Sequence, residues 1–444
     1  MRRLERSVEL SGWGRFPRVA CNVFEPTSEP NLRGGLRDIP SIIARGNGRA
    51  YGDAALNPEG TILTRRFNRF IAFDETSGLL ACEAGILLSE VLEVFVPRGW
   101  FVPVTPGTKH VTVGGMVAAD VHGKNHHHAG SFARYVCWID VMIADGTTVR
   151  CSSSQNAELF EATLGGMGLT GIILRVAFTL VRIETEFVVQ HAIATSSLAE
   201  AIEVMQAHVG AAYSVAWIDC LARGKRMGRS VVMLADHARR ADLPEGDQKS
   251  LRPRSRTISI PIDLPAFALN RLTVSVFNRL YFTRASSRPK LVPIARFFYP
   301  LDRVEGWNRI YGKRGFVQYQ FVLPASTSLV GMNEVFKRMA EHGTAPFLAV
   351  LKRFGAGRGM LSFPIEGYTL ALDFPATAQT FDLLRDLDPV VSDHGGRIYL
   401  AKDARSDSKH ILTQYPGLAD FAEVRAKVDP QGRVSSLLSR RLGL

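Results

Sequence analysis

The stretch PVTPGTKHVTVGGMVAADVHGKNHHHAGS, residues 103–131, decides the fold expected for this 444-residue chain. It holds five glycines and five histidines among small or β-branched residues. Glycine loses much conformational freedom on folding, so this density predicts backbone that lies against something with no room for a Cβ. The run of amides from Gly107 to Gly115 suits an anion such as a pyrophosphate. Val111, Val113 and Met116 favour a packed segment over a glycine-rich surface loop, which remains the alternative.

A second glycine-rich segment, RGNGRAYGD, covers residues 45–53 after the apolar run 39–44. Its spacing is G-x-G-x-x-x-G, whereas the nicotinamide-dinucleotide fingerprint needs G-x-G-x-x-G between a strand and a helix. Pro40 and Arg45 also fit the strand of that fingerprint poorly. The two glycine segments, roughly 60 residues apart, therefore predict a dinucleotide site of another kind.

The pair resembles the FAD-binding domain of the vanillyl-alcohol oxidase superfamily, where a first Gly loop and a PGT…VGG segment clasp one dinucleotide. The run 158–173 is similar to a third element of that superfamily. Four further stretches are similar to its members that oxidise polyprenylphosphoryl ribose: HGKNHH (122–127), FVQYQFV (316–322), LSFPI (361–365) and YLAKDAR (399–405). The resemblance runs from about Arg45 to about Pro430 and is weakest between about 240 and 289.

The resemblance implies an α+β fold with the two domains of a vanillyl-alcohol-oxidase-type flavoprotein, the second built on an antiparallel sheet. We expect an FAD-binding domain over 1–182, a substrate-binding domain over 183–396, and a C-terminal return to the FAD domain over 397–444. The local pattern agrees, because it lacks a regular β-α-β alternation. Local signals predict a helix over 90–96 capped by Ser89, a helix through Thr163 capped by Asn156, and a strand over 360–363.

FAD is expected to be bound non-covalently. In many relatives the first Gly loop ends in a histidine bonded to the flavin, and Tyr51 stands at the corresponding position here. The resemblance implies these cofactor-binding residues: Arg45, Gly46, Asn47, Gly48, Arg49, Ala50, Tyr51, Gly52, Asp53, Gly107, Thr112, Val113, Gly114, Gly115, Ala119, Asp120, Val121, His122, Gly123, Asn125, Ile173 and Tyr399.

Lys402, in YLAKDAR, resembles the active-site lysine of the family, where a cation holds a substrate oxygen and stabilises the reduced flavin. Gln318 and Gln320 alternate on one strand, so both face one side of a sheet, where their amides suit a polyhydroxylated sugar. The expected catalytic residues are Lys402, His122, Gln320, Gln318 and Tyr51. The expected substrate-binding residues are Lys124, Gln318, Gln320, Lys352, Thr369, Ala371 and Lys402; Lys124 through His127 are expected to line the cavity.

Two positions depart from the pattern of these relatives. Ala371 stands where they carry a cysteine, and Thr369 where they carry an asparagine. Loss of the cysteine removes covalent capture by thiol-directed inhibitors without removing the chemistry. Loss of the asparagine leaves the specificity for sugar and lipid open.

The implied reaction is oxidation of the 2′-hydroxyl of a polyprenylphosphoryl-β-D-ribose to the 2′-keto form by an FAD-dependent oxidoreductase. A separate NAD(P)H-dependent keto-reductase would then complete an epimerisation to the arabinose donor for cell-envelope glycan. Lys402 and His122 remain alternative catalytic bases. The alternative enzyme is an FAD-dependent oxidase of free alditols or aldonolactones, and a catalytically silent flavoprotein scaffold is the alternative from another class.

The charge of +12, from 54 basic and 42 acidic residues, permits nucleic acid, anionic lipid or a phosphorylated substrate as a partner. No basic helix, zinc-ligand spacing or aromatic RNA-binding run appears, so nucleic acid is not expected. His122 and His126 have the i, i+4 spacing of metal ligands on a helix. Gly123 and Gly130 oppose a helix there, and no carboxylate follows at ligand spacing, so no metal is expected.

The expected location is cytoplasmic, with peripheral contact at the inner membrane as an alternative and the periplasmic face left open. No run of 18 apolar residues occurs, and the N-terminus lacks the apolar core of a secretory signal. The polar, basic residues 239–260 predict a mobile loop. The apolar segment 261–282 beside it is either an interfacial element that admits a lipid-linked substrate or a core helix or hairpin.

Overall fold

The computed structural model describes residues 6–222, 224–244, 258–265 and 271–444. The strands are β1 Arg6–Ser11, β2 Arg18–Phe24, β3 Ile43–Arg45, β4 Thr61–Leu63, β5 Phe70–Asp74, β6 Leu79–Glu83, β7 Trp100–Phe101, β8 Val136–Met142, β9 Thr148–Ser152, β10 Ile172–Thr179, β11 Val181–Arg182, β12 Phe187–Thr195, β13 Tyr213–Ile218, β14 Ser230–His237, β15 Ile258–Ser259, β16 Lys290–Pro293, β17 Val304–Glu305, β18 Phe316–Pro324, β19 Leu348–Phe354, β20 Gly367–Pro375 and β21 Arg397–Ile398. The helices are α1 Glu29–Leu36, α2 Leu88–Phe95, α3 Val113–Ala118, α4 His126–Ala129, α5 Ala157–Thr163, α6 Leu198–Ala207, α7 Arg271–Thr283, α8 Ile294–Phe298, α9 Ser328–Glu341, α10 Ala378–Asp393, α11 Ser408–Gln414, α12 Leu418–Val428 and α13 Leu437–Leu442.

Two sheets build the N-terminal part of the molecule. A four-stranded sheet has the order β1-β2-β4-β3, and a five-stranded sheet has the order β5-β6-β10-β8-β9. The first glycine segment lies in the connection from β3 to β4, and the second leads into α3, which packs against β10. Both glycine segments therefore lie in connections between regular elements, where backbone amides are not committed to a sheet and can contact a ligand.

An eight-stranded sheet, in the order β16-β12-β14-β13-β19-β20-β18-β21, dominates the second half of the chain. Its recorded pairs are antiparallel, and α9 and α10 pack against β18. The prediction of a mixed α+β fold with an antiparallel second sheet is confirmed.

The C-terminal residues return to the first sheets. Ser435 donates its N–H to Ile42 O at 2.9 Å, and Leu437 donates to Leu56 O at 2.9 Å. Arg441 pairs with Asp53 in the first glycine loop and with Asp403 beside Lys402. This tail therefore ties the first glycine loop to the loop that follows β21.

Both predicted helices form, but their predicted side-chain caps and the predicted strand over 360–363 were wrong. Helix α2 begins at Leu88, because Leu88 is buried and the Glu90 carboxylate accepts the N–H of Leu87 at 2.6 Å, so Ser89 is no cap. Asn156 precedes α5 with a φ of 51°, and its amide donates to Arg150 O rather than accepting from the helix. Residues 360–363 form a bend instead of a strand, because Ser362 donates to Asp120 of the other half of the molecule.

The predicted mobile loop and apolar segment lie partly outside the described residues, since 245–257 and 266–270 are not among them. The described remainder includes β15, which pairs in parallel with β17, and α7. Val274 and Asn278 on α7 are buried, whereas Val276 and Leu280 are about half exposed. Nowhere in the described ranges is a helix long and apolar enough to cross a membrane.

Candidate active site

The two glycine segments, residues 46–52 and 106–115, touch each other and are called the glycine clasp below. Asn47 Nδ2 donates to His110 O at 2.7 Å across a separation of 63 residues. A Cβ on Gly46 would lie 2.2 Å from Thr112 Oγ1, so only glycine allows this approach. The clasp therefore depends on the absence of a side chain at Gly46.

The first loop of the clasp presents successive free amides. Among the described residues, no N–H from Gly46 to Ala50 donates to a backbone carbonyl, and Gly48 has a φ of 61°. Such consecutive amides form a concave site for an anion. The Arg49 guanidinium lies 3.9 Å from the Trp13 ring, and its buried Nε has no partner in the described part of the chain. A pyrophosphate fits this loop.

The second loop differs from the prediction of an amide run from Gly107 to Gly115. Val113 donates to Ile86 O at 2.8 Å, Gly114 donates to Ala84 O at 2.7 Å, and Gly115 donates to Thr112 Oγ1. These amides are occupied because they begin α3 and fasten it to the strand turn before α2. The prediction of free amides was wrong for these three residues.

The clasp also contacts the loop that carries Lys402. Tyr51 donates its N–H to Ala401 O at 3.1 Å, and a Cβ on Gly52 would lie 1.9 Å from Asp403 O. The Lys402 ammonium lies 3.6 Å from the centre of the Tyr51 ring. A cation over an aromatic face is stabilised electrostatically. Lys402 therefore lies beside the first glycine loop, in favourable contact with its Tyr51.

Three neighbouring strands, β18, β20 and β19, form what we call the polar face. Residues opposite each other in antiparallel strands share one side of the sheet, and so do residues two apart. The resulting rows across β18, β20 and β19 are Gln318, Asp373 and Leu348; Gln320, Ala371 and Val350; and Val322, Thr369 and Lys352. Ala371 thus lies at the centre, where its small side chain leaves room.

The hydrogen bonds of the polar face orient both glutamine amides. Gln318 Nε2 donates to Asp373 Oδ1 at 2.5 Å. Thr369 donates its hydroxyl hydrogen to Phe321 O, so Thr369 Oγ1 can only accept from Gln320 Nε2, at 3.2 Å. In this assignment neither Oε1 atom is used by these partners, and the Gln318 amide also hydrogen-bonds the Tyr51 side chain.

The same network determines the proton position on His122. Gln320 Nε2 lies 3.0 Å from His122 Nε2, which must therefore accept, so the ring hydrogen sits on Nδ1. His122 is 5% exposed and is surrounded by the rings of Phe354, Phe363 and Tyr399. Burial lowers the pKa of His122 well below its ordinary value, helped by Lys352, His126 and Lys402. The neutral ring carries a buried Nδ1–H that no described residue accepts.

Three lysines gather around this sheet. Burial lowers the pKa of Lys124 to about 7, that of Lys352 to about 8 and that of Lys402 to about 7. Lys124 donates to Phe297 O and lies over the Phe297 ring. Within the described part of the chain, no hydrogen-bond or ion-pair partner is recorded for the ammonium groups of Lys352 and Lys402. Such unpaired cations favour an anionic ligand.

Several predicted site residues are engaged in contacts of the fold. The carboxylate of Asp53 pairs with Arg441, and that of Asp120 accepts from Ser131, Ser362 and the N–H of Ala133. Three further predicted residues bond backbone carbonyls: Arg45 donates to Ser11 O, His127 bonds Ala211 O, and Tyr399 donates its hydroxyl hydrogen to Ala119 O. Their side chains hold the site's elements together.

In the described ranges, no three histidine, cysteine, aspartate or glutamate side chains lie together as a metal site would need. His126 begins the short helix α4, while His122 lies before it. His126 Nδ1 accepts the N–H of Gly355, and its ring lies 4.5 Å from that of Phe354. The histidine run thus packs against the end of β19.

Asp373 is the residue that sequence reasoning missed. It is 1% exposed, and burial raises its pKa to about 7 against the opposing effects of Gln318 and Lys402. The signal was present in the sequence, since Thr369 and Ala371 were singled out and Asp373 is the next residue with the same period of two.

Comparison with known proteins agrees with this geometry. The FAD binding domain family matches residues 23–152. The chain is 34% identical over 449 residues, 98% of its length and 97% of the relative's, to decaprenylphosphoryl-beta-D-ribose oxidase from Mycolicibacterium smegmatis. It is 36% identical over 371 residues to an uncharacterised Streptomyces coelicolor protein, covering 81% of this chain and all of that protein. It is 26% identical over 457 residues, 96% of both chains, to L-gulonolactone oxidase from Mus musculus.

The fold and the site thus define an FAD-binding oxidoreductase that acts on CH–OH groups. Its free amides, close-packed glycines and unpaired buried polar atoms fit a flavin dinucleotide. The chain belongs to the decaprenylphosphoryl-β-D-ribose oxidase family, which confirms the resemblance seen in the motifs.

Proposed function

We propose that this protein oxidises the 2′-hydroxyl of a polyprenylphosphoryl-β-D-ribose to the 2′-keto form, using non-covalently bound FAD. One observation carries the proposal: Lys352 lies on the same side of the sheet as the Gln318 and Gln320 amides, with Lys402 nearby, and neither lysine has a hydrogen-bond or ion-pair partner among the described residues. Amide oxygens accept from sugar hydroxyls, and ammonium groups bind a phosphate. A ribosyl phosphodiester offers both.

The glycine clasp would hold the pyrophosphate of FAD, and the Nδ1–H of His122 would donate to the cofactor or to the substrate. FAD supplies the acceptor for the hydride of the substrate carbon. Tyr51 stands where covalent relatives carry histidine, so we expect acid precipitation to release the flavin into the supernatant. Flavin that stays with the precipitated protein would contradict non-covalent binding.

The hydroxyl proton is assigned to Lys402. His122 is a poor acceptor, because its Nε2 lone pair already receives Gln320 and its Nδ1 carries a hydrogen. With a pKa lowered to about 7, Lys402 is an amine in a substantial fraction of molecules near neutral pH, as a general base requires. The O–H proton moves to this amine while the carbonyl forms and the hydride leaves the carbon.

Anaerobic reduction of the flavin tests the substrate. The holoprotein is mixed with farnesylphosphoryl ribose, with its 2-deoxyribose analogue, and with xylitol and galactonolactone. We expect loss of the visible absorbance of oxidised flavin with the ribose conjugate alone. Reduction by xylitol or the lactone but not by the conjugate would favour the free-sugar oxidase, which the similarity to L-gulonolactone oxidase keeps as the second candidate.

Peripheral membrane contact is part of the proposal. Val276 and Leu280 share one exposed side of α7, and an apolar strip of this kind suits the carrier or the membrane surface. Vesicle flotation should therefore be weakened in the double variant Val276→Ser, Leu280→Ser and unchanged in Val330→Ser, an exposed apolar position on α9. Equal flotation of both variants would contradict membrane contact through α7.

The keto product requires a second enzyme to reach arabinose. We propose a separate NAD(P)H-dependent keto-reductase as partner, at the cytoplasmic surface of the membrane, for cell-envelope glycan. Arabinose formation only when such a reductase is added would support the pairing.

We also propose domain ranges of 1–182, 183–396 and 397–444. They are supported by the change from the five-stranded to the eight-stranded sheet between β10 and β12.

A further inference from the structure

Asp373 lies in the middle strand of the polar face. It is opposite Gln318 on β18 and Leu348 on β19, and it is 1% exposed. An ionised carboxylate in such a position is costly unless neighbouring groups stabilise it. The contacts of Asp373 are therefore informative about its role.

The two oxygens of Asp373 have different surroundings. Oδ1 accepts from Gln318 Nε2 at 2.5 Å, whereas the buried Oδ2 accepts from no described residue. The titratable groups that act on Asp373 are Lys402 from the loop after β21, Tyr51 from the glycine clasp, and Tyr311 from the turn before β18. Lys402 is the cation among these three, and Lys352 in turn opposes the charge on Lys402.

We propose that Asp373 is a positioning residue of the reaction, which directs the Gln318 carbonyl toward the substrate and whose charge acts on Lys402. What the proposal says of the substrate and the reaction rests on the proposed function, whereas the bond to Gln318 and the charge interaction with Lys402 belong to the protein without substrate. Asp373 acts through these two side chains.

The first role follows from the hydrogen bond. An amide whose Nε2 is held by a carboxylate cannot turn over without placing its oxygen against that carboxylate. Asp373 therefore prevents the alternative orientation of Gln318, in which the N–H group would face the ligand. Removal of the acceptor would allow both orientations and weaken recognition of sugar hydroxyls.

The second role follows from charge. Burial raises the pKa of Asp373 to about 7 and lowers that of Lys402 to about 7, so the two groups titrate together. A negative Asp373 favours the ammonium form of Lys402, and a neutral Asp373 favours the amine. The carboxylate thus determines the pH at which Lys402 becomes able to take the hydroxyl proton.

Trace acetylation measures this directly, because acetic anhydride reacts with the amine form only. The extent of acetylation at Lys402 is followed by mass spectrometry from about pH 6 to about pH 10, with exposed Lys409 in the same sample as the reference for reagent. In the wild-type holoprotein we expect a midpoint near 7. In Asp373→Asn the midpoint should fall by about one pH unit.

Glu366→Gln is the matched control, since it removes the same charge from an exposed residue just before β20. It should leave the midpoint unchanged. Gln318→Leu is a second variant: it removes a bond that favours the Asp373 anion, so the midpoint should fall in the same direction by a smaller amount. A wild-type midpoint at the ordinary lysine value of about 10.4 would overturn the proposal without any variant.

Flavin reduction by farnesylphosphoryl ribose tests the role in the reaction. The acid limb of its pH profile should shift in Asp373→Asn by the same amount as the acetylation midpoint. Asp373→Asn keeps an acceptor for Gln318 but adds a donor, so KM should rise less than the about fivefold expected for Asp373→Leu. A shifted midpoint with an unshifted rate profile would overturn the role of Asp373 in the reaction.

The two proposals fail in different ways. If the ribose conjugate reduces no flavin while the acetylation midpoint still shifts in Asp373→Asn, the substrate assignment falls and the action of Asp373 on Lys402 stands. If the conjugate reduces flavin and neither variant moves the midpoint, the function stands and the inference about Asp373 falls.

Discussion

The glycine clasp and the polar face meet at Tyr51 and Lys402, yet they are built in opposite ways. The clasp uses backbone: free amides, one left-handed glycine and positions where a Cβ would collide. The polar face uses side chains, which three strands bring into rows. The difference teaches that the cofactor part depends on glycine at particular positions, whereas the substrate part depends on which strands are neighbours.

Lys402→Met should have the largest effect, because it removes the proposed acceptor of the hydroxyl proton where the two regions meet. Loss of a general base costs about 10²–10⁴-fold in rate. The rate of flavin reduction by farnesylphosphoryl ribose, expressed per bound flavin, measures this loss. Lys409→Met, at an exposed residue of α11, is the control and should reduce flavin at the wild-type rate. A Lys402→Met rate within threefold of wild type would show that Lys402 takes no part in the reaction.

Gly52→Ala should break the clasp and leave the polar face intact. A Cβ at Gly52 would lie 1.9 Å from the backbone oxygen of Asp403, so the loop must move, at a cost of about 1–3 kcal/mol. We expect FAD affinity to fall about tenfold or more, measured from the flavin-to-protein ratio after dialysis. Gly34→Ala lies in α1 with nothing within 4 Å and should retain flavin. Full flavin in Gly52→Ala would show that the clasp tolerates side chains.

The pH dependence of stability should separate the two regions, since the lowered lysine pKa values belong to the polar face and its surroundings. Between about pH 8 and pH 10 these lysines bind more protons in the unfolded chain than in the native one, so their contribution to the slope of the free energy of unfolding against pH is positive. Buried thiols such as Cys82 and Cys151, whose pKa values burial raises, contribute with the opposite sign, so the comparison is made between variants. Lys352→Met should reduce that slope by up to about 1.4 kcal/mol per pH unit. Urea unfolding of the substrate-free holoprotein measures it.

Lys337→Met, an exposed lysine of α9, is the control for this slope. Its slope should match that of the wild type. A slope in Lys352→Met equal to that of the wild type would show that the native protein does not lower the pKa of Lys352.

Ala371→Cys should have the smallest effect and sharpen the map of the polar face. Ala371 is flanked by Gln320 and Val350, so a thiol there lies on the polar face, while stability should change by less than about 0.5 kcal/mol. We expect alkylation of this thiol to be slowed by farnesylphosphoryl 2-deoxyribose. Exposed Cys137 is the internal reference, and protection of both thiols or of neither would place Ala371 outside the proposed substrate site.

Much of the site was predictable from residues near each other in sequence. The glycine segments, the alternation of Gln318 and Gln320, and the motif around Lys402 were sufficient to predict a flavoprotein oxidoreductase. The acceptor role of Thr369 was not predictable, because it depends on its bond to Phe321 O, which lies on another strand. The bend at Ser362 was not predictable either, because its partner Asp120 is 242 residues away.

The sequence by itself determined where backbone must come close to a ligand and which residues share one side of a strand. Glycine spacing and a period of two are local properties of the chain, so no knowledge of the fold is needed. Only the tertiary structure decided that Asp373 holds Gln318 and that His122 carries its hydrogen on Nδ1. It also decided that the N–H groups of Val113 and Gly114 donate to backbone carbonyls within the fold. The physical reason is that hydrogen-bond partners and burial, which determine amide orientation and pKa, come from strands that are distant in sequence.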